Sequence, residues 1–213
     1  MTNREMLTTI DGSILEEAFP TKHRVKATLA CKAVSHILNV TQWTDRFSVQ
    51  VEGEQVQIPV RLRFASDYLP LLVNDEAWQF GRALQTRSND GFERQRAARD
   101  LLAALQPWQA PFIVGLIGEY IVEILDDIAA ALTTDNTRIL SDFIGRNPAY
   151  WNTTKRRVAS YWNAYYRSSS SSSNPPAWAV KVARPRFRRS DYVGFSLIKH
   201  LDVAANGRIT DTV

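Results

Sequence analysis

The apolar positions in the first third of the chain change period. Over 22–39, Val25, Leu29, Ala30, Ala33, Val34, Ile37 and Leu38 recur at three- and four-residue intervals, which predicts one helix with a single buried stripe. Ahead of it, Ser13-Ile14-Leu15-Glu16 has the spacing of a capping box, Pro20 stops that short first helix, and Thr21 can cap the second. Beyond it the period falls to two. Phe47, Val49 and Val51, then Val56, Ile58, Val60, Leu62 and Phe64, alternate with polar residues on either side of Glu52-Gly53-Glu54, predicting a β-hairpin over about 46–64. Pro59 has no N–H for a ladder, so the second strand belongs at an edge. Two strands alone are marginal in water, so one face of the hairpin must lie on helices.

From 66 to 167 the patterns are helical. Asn74-Asp75 starts a helix through Trp78, Phe80 and Leu84, Asn89-Asp90-Gly91 is a turn, and a helix over 92–105 ends at Gln106-Pro107. Pro111 suits the first turn of a helix expected to run unbroken to about Leu132, with Gly118 inside it. Mid-helix glycine costs about 1 kcal/mol relative to alanine, which implies a close-packed neighbour at Gly118. This helix is apolar enough to raise a membrane question, and its four acids argue against a span. Helices over 136–146 and 150–167 follow, separated by Asn147-Pro148. Six consecutive serines and Asn174-Pro175-Pro176 read as a linker over 168–176, after which 177–213 form a basic, aromatic tail with a short docking helix over 192–201. The expected fold is mainly α (α+β): a helical bundle or short helical-repeat array over 1–167 with one N-terminal β-hairpin, and a basic C-terminal tail.

Composition adds bounds. Of 213 residues, 45% are hydrophobic and 23% charged, the usage of a globular chain. The lone Cys31 excludes an internal disulfide framework, and the first residues lack a signal-peptide apolar run, so a reducing, cytoplasmic setting is expected. The net charge of +4 hides a partition: residues 1–142 carry 14 Lys and Arg against 19 Asp and Glu, whereas 143–190 carry 10 against none. Such a segment attracts anions or docks on the chain's own acidic surface.

Several constellations bear on chemistry. On an unbroken helix Glu119, Glu123, Asp126 and Asp127 would fall within about 100° of circumference, an acidic stripe facing solvent or a basic partner such as the tail. No histidine stands three residues after any of these acids, so the stripe is not read as a metal site. His23, His36 and His200 lack zinc spacing; His36 is expected in the core, and Cys31 as a packed thiol. No nucleophile elbow, P-loop or dinucleotide fingerprint occurs, so no catalytic residue, cofactor or small-molecule substrate is assigned. In the basic region, cations alternate with aromatic rings: Lys155, Arg156 and Arg157, then Trp178, Lys181, Arg184, Arg186, Phe187, Arg188 and Arg189. Trp178 and Phe187, beyond the linker, are the rings expected to reach a partner.

Residues 87–102 (Arg87-Ser-Asn-Asp-Gly-Phe-Glu-Arg-Gln-Arg-Ala-Ala-Arg-Asp-Leu-Leu) and the stretch from Gly118 to Leu132 (Gly-Glu-Tyr-Ile-Val-Glu-Ile-Leu-Asp-Asp-Ile-Ala-Ala-Ala-Leu) resemble successive units of a HEAT-type helical repeat. That resemblance, covering about 87–132, implies antiparallel helix pairs and a protein- or nucleic-acid-binding surface. The expected function is that of a non-enzymatic interaction or assembly subunit, with a protein partner or a second copy of itself, whose basic-aromatic region contacts an anionic partner. Direct nucleic-acid binding is the alternative, ahead of an acidic membrane surface; an enzyme with an unrecognised site is third.

Overall fold

The alternation over 46–59 folds into an antiparallel pair, β1 (Arg46–Val51) and β2 (Glu54–Pro59), with Phe47 opposite Ile58 and Val49 opposite Val56, in a computed structural model that describes residues 11–39, 45–65, 75–167 and 186–209. Glu52 and Gly53, with φ of 51° and 88°, make the two-residue turn whose twist suits a hairpin. Val49, Val51, Val56 and Ile58 point into the core. The second strand was expected through Phe64 and stops at Pro59, where the ladder loses a donor. Onward the chain is held by single bonds, Leu62 N–H to the Arg87 carbonyl and Asn89 N–H to the Leu62 carbonyl. Both outer edges are also occupied. Gln57 N–H donates to the Glu17 carbonyl at 2.9 Å, and the Asn147 amide accepts from Gln50 N–H at 2.7 Å and donates to its carbonyl at 2.8 Å.

The rest of the described chain is helical: α1 (Gly12–Glu16), α2 (Thr21–Ile37), α3 (Asp75–Gln85), α4 (Gly91–Leu102), α5 (Ala110–Ile117), α6 (Val122–Ala130), α7 (Thr134–Arg146), α8 (Pro148–Tyr161) and α9 (Val193–Ile209). The molecule is therefore mainly α with one N-terminal hairpin. Among the described residues no helix is long and apolar enough to cross a membrane. Asp11, rather than Ser13, caps α1, accepting from Ser13 and Ile14 N–H. The N-terminus of α2 is capped from the hairpin: Thr21 N–H and its hydroxyl donate to the Glu54 carboxylate at 2.9 and 2.7 Å. These bonds hold the Glu54 carboxyl below its ordinary range.

The buried face of α2 differs from the expected stripe. Ala27, Ala30, Cys31 and Val34 line it, whereas Val25 is 86% and Leu29 47% exposed. Small residues win because α1 lies close: a Cβ on Gly12 would stand 3.2 Å from the Lys32 backbone nitrogen. His36, expected in the core, is exposed as a result of this rotation. Cys31 is packed, and burial pushes its thiol well above the usual range.

At the centre every residue of α5 is buried. The helix expected to continue to Leu132 ends at Gly118, and a new one starts after Ile121. Gly118 is thus a helix end, where a Cβ would first meet Arg157 Cδ at 3.3 Å, part of a long side chain that can yield. The tight glycine is Gly115, whose Cβ would lie 2.6 Å from Arg87 Nη1 and 2.7 Å from the Tyr150 hydroxyl. At the C-terminal side Tyr192, Leu197 and Leu201 of the α9 region join the same core as Leu15 and Val49.

Two outcomes test this account. Gly115→Ala is expected to cost about 1–3 kcal/mol through overpacking, seen as a lower Tm, with Tyr150→Phe in the same chain recovering part of the loss; an unchanged Tm would mean that Arg87 and Tyr150 have room to shift. Glu54→Gln is expected to lower Tm near neutral pH and to converge on the parent as acidification protonates the Glu54 carboxyl of the folded parent. A carboxyl with a depressed folded value stabilises above its unfolded pKa, and that contribution vanishes as pH falls through the folded one.

Candidate functional site

Between α3 and α4 the chain turns through Gln85, Thr86, Arg87 and Ser88, all buried. A buried backbone turn needs donors and acceptors from side chains, and charged ones supply them here. Arg94 Nη1 donates to the Ser88 and Asn89 carbonyls at 2.8 and 3.2 Å, and Arg61 Nη1 to the Ser88 carbonyl at 2.9 Å. The Glu93 carboxylate accepts from Gln85 Nε2 at 2.9 Å and from the Ser88 hydroxyl. Arg87 lies deepest, donating to the Phe112 carbonyl at 2.9 Å and to Thr86 Oγ1 at 3.2 Å. Burial draws its guanidinium down to about 10, against the opposing pull of Tyr150 and Glu119. Glu119 closes the cluster, its oxygens 2.6 Å from Arg61 and 3.4 Å from Arg94.

This cluster fixes the break between α5 and α6, and the break places Tyr120 against the end of α8. There α8 widens into one π-helical turn, Trp162–Tyr166, which separates the rings into two groups. On one side Tyr161 and Tyr165 stack at 6.0 Å with 27° between planes, and Tyr120 leans on both at 5.8 and 5.6 Å. Tyr120 is 37% and Tyr165 43% exposed. On the other side Tyr166 and Trp162 hold the returning chain: Phe187 N–H donates to the Tyr166 carbonyl at 2.9 Å, and Trp162 Nε1 donates to the Phe187 carbonyl at 3.1 Å. The Tyr166 hydroxyl in turn donates to the Tyr120 carbonyl. Arg186, Arg188 and Arg189 are thereby brought beside Arg167, all four exposed, with Arg167 and Phe187 paired as a parallel bridge.

The other residues expected at the site fall as follows. Lys155 sits 3.4 Å from Asp202, which also accepts from Trp151 Nε1 at 2.6 Å, in a groove of about 710 Å³ between α7, α8 and α9. Arg156 is exposed and donates to Thr153. Arg157 is partly buried, its guanidinium 4.9 Å over the Phe47 ring. Phe187, expected to reach outward, is instead partly buried against Tyr166 and Tyr192 at 5.7 and 6.0 Å. Arg189 lies over Phe195 at 4.7 Å. Trp178, Lys181, Arg184 and the serine linker lie outside the described residues. Tyr120 joins Tyr161 and Tyr165 only through the helix break, which spacing along the sequence does not show.

The four acids do not form one stripe. The break removes Glu119 to the arginine cluster, where it is buried, while Glu123 and Asp126 stay exposed on α6. Burial, then the neighbouring Glu123 and Asp127, raise the Asp126 carboxyl. Asp127 accepts from Gln95 Nε2 and Arg99 Nε of α4 at 2.7 and 2.8 Å. The ion-pair partners of Glu119 and Asp127 thus include Arg61, Arg94 and Arg99, which precede the carboxylate-free segment.

No protein-family model, no curated protein and no solved structure matches this chain.

Removing one member of a buried ionic cluster strands the others. Glu119→Ala is expected to cost about 3–5 kcal/mol because Arg94 keeps its charge without a carboxylate. Chemical denaturation reads this directly, and a change within about 0.5 kcal/mol, as at an ordinary surface site, would mean that the backbone carbonyls alone satisfy Arg94.

Proposed function

We propose that the chain is a non-enzymatic interaction or assembly subunit, acting in the cytoplasm, whose basic-aromatic C-terminal region contacts an anionic partner. The observation that carries this reading is the gathering of Arg167, Arg186, Arg188 and Arg189 onto one exposed edge by the Trp162 and Tyr166 bonds to Phe187. Residues 143–190 hold no carboxylate, and the next acid is Asp191. Cations on a segment pinned by main-chain bonds lose little further backbone freedom on binding, so their attraction to a polyanion is less offset by ordering. By contrast, Arg61, Arg87 and Arg94 are used inside the fold and have little to offer a partner.

The test is retention of the full chain on immobilised heparin across a salt gradient. Replacing Arg167, Arg186, Arg188 and Arg189 with Gln is expected to move elution to markedly lower salt with at most a small drop in Tm, because all four residues are exposed although Arg189 also lies over Phe195. For a nucleic acid, removing one arginine–phosphate pairing should flatten the log–log salt dependence by about 0.7 to 0.9. Elution of parent and variant at the same salt would remove this edge from the function.

A further inference from the structure

Cations alone would serve any polyanion, so the tyrosines beside them need their own account. Tyr161 and Tyr165 lie one widened turn apart and stack, and Tyr120 arrives from a different part of the chain to complete the group. The group is held in place, since the Tyr166 hydroxyl bonds the Tyr120 carbonyl and the Glu119 carboxylate next to it is fixed by two arginines. Yet Tyr120 and Tyr165 keep over a third of their surface in water. A positioned, half-exposed aromatic platform at the same end of α8 as four exposed arginines provides the two things an unpaired nucleic-acid strand requires: ring faces for bases and guanidinium groups for phosphates.

Resting on the reading of an anionic partner above, we infer that this partner is single-stranded nucleic acid, its bases stacking on Tyr120, Tyr161 and Tyr165 and its phosphates lying along Arg167, Arg186, Arg188 and Arg189. Duplex fits less well, because its bases are already stacked on one another and present only edges. An acidic membrane surface fits less well too. Insertion requires aliphatic or indole side chains projecting outward, whereas the exposed residues of the π-helical turn are Asn163, Ala164 and Tyr165, followed by Arg167. An acidic peptide would use the arginines and leave the rings idle.

Equilibrium binding of the full chain to a fluorescent oligothymidylate, to the same strand made abasic, to the corresponding duplex and to phosphatidylserine vesicles separates these cases. The expected result is tightest binding to the oligothymidylate, weakened about fivefold to hundredfold by Tyr165→Ala and by Tyr165→Leu, and largely restored by Tyr165→Phe, which keeps the ring. None of these three changes should alter heparin retention, and circular dichroism with Tm shows whether each variant is folded. Equal affinity for the abasic strand, or indifference to Tyr165→Ala with heparin retention intact, overturns the stacking platform and leaves the polyanion reading standing. Tighter binding to duplex or to vesicles likewise overturns it. Failure of the parent protein to bind either heparin or oligothymidylate would defeat the underlying reading and this inference together.

Discussion

Everything near the site depends on how the protein accommodates Arg87. An arginine whose side chain is entirely inside a core must find acceptors for its donors and a counter-charge within reach, or its burial would be prohibitive. Gly115 opens the room, the Phe112 carbonyl and the Thr86 hydroxyl accept, the Glu119 carboxylate supplies the opposing charge, and Arg61 and Arg94 share Glu119. Glu119 can reach those two guanidinium groups only because α5 ends at Gly118. A continuous helix would carry its carboxylate round toward the face shared with Glu123 and Asp127. The break is therefore the position at which the ionic cluster outweighs helix continuity, and the low helix propensity of Gly115 and Gly118 lowers the cost of that choice.

From the break the constraint passes outward. Tyr120, next to Glu119, presents its carbonyl to the Tyr166 hydroxyl and its ring to Tyr161 and Tyr165. Tyr166 in turn accepts the Phe187 N–H and stacks on Tyr192 at 5.3 Å, which leads into α9. The surface offered to a partner is consequently built on main-chain bonds and buried rings, although the residues that would touch the partner are exposed. Among the described residues the enclosed Tyr192 hydroxyl has no hydrogen-bond partner, and burial lifts its pKa far above the usual range, so this ring acts in packing and remains protonated.

Local rules made much of this legible in the chain. Period-two alternation and Glu52-Gly53 placed the hairpin, the turn at Asn89-Asp90-Gly91 placed the start of α4 to within one residue, and Pro148 marked the α7–α8 junction. Tertiary choices were not legible. Apolar spacing on α2 pointed to Val25 and Leu29, but close approach of α1 favours the alanine and cysteine face instead, and His36 turns outward with the change. Similarly, four acids at helical spacing implied one stripe, because nothing local says that Arg61 and Arg94 from elsewhere will capture the first of them. Of the candidate site, the alternation of cations and rings was readable. The third tyrosine and the inward turn of Phe187 were not, since both depend on packing between distant parts of the chain.

The charge partition takes on a different meaning once burial is known. The acidic excess of residues 1–142 suggested a negative body seeking a positive arm, but charges there differ in what they still offer to solvent. Arg87, Arg94, Glu93 and Glu119 are inside, and Arg99 with Asp127, or Arg82 with Asp100 at 2.8 Å, neutralise each other locally. What a partner meets depends on the exposed remainder, and at the end of α8 that remainder includes four arginines on a stretch whose sequence has no carboxylate between Asp142 and Asp191. A field set by local composition falls off within about 8 Å at physiological salt. An approaching anion therefore responds to this edge and the tyrosines beside it far more than to the modest net charge of the whole chain.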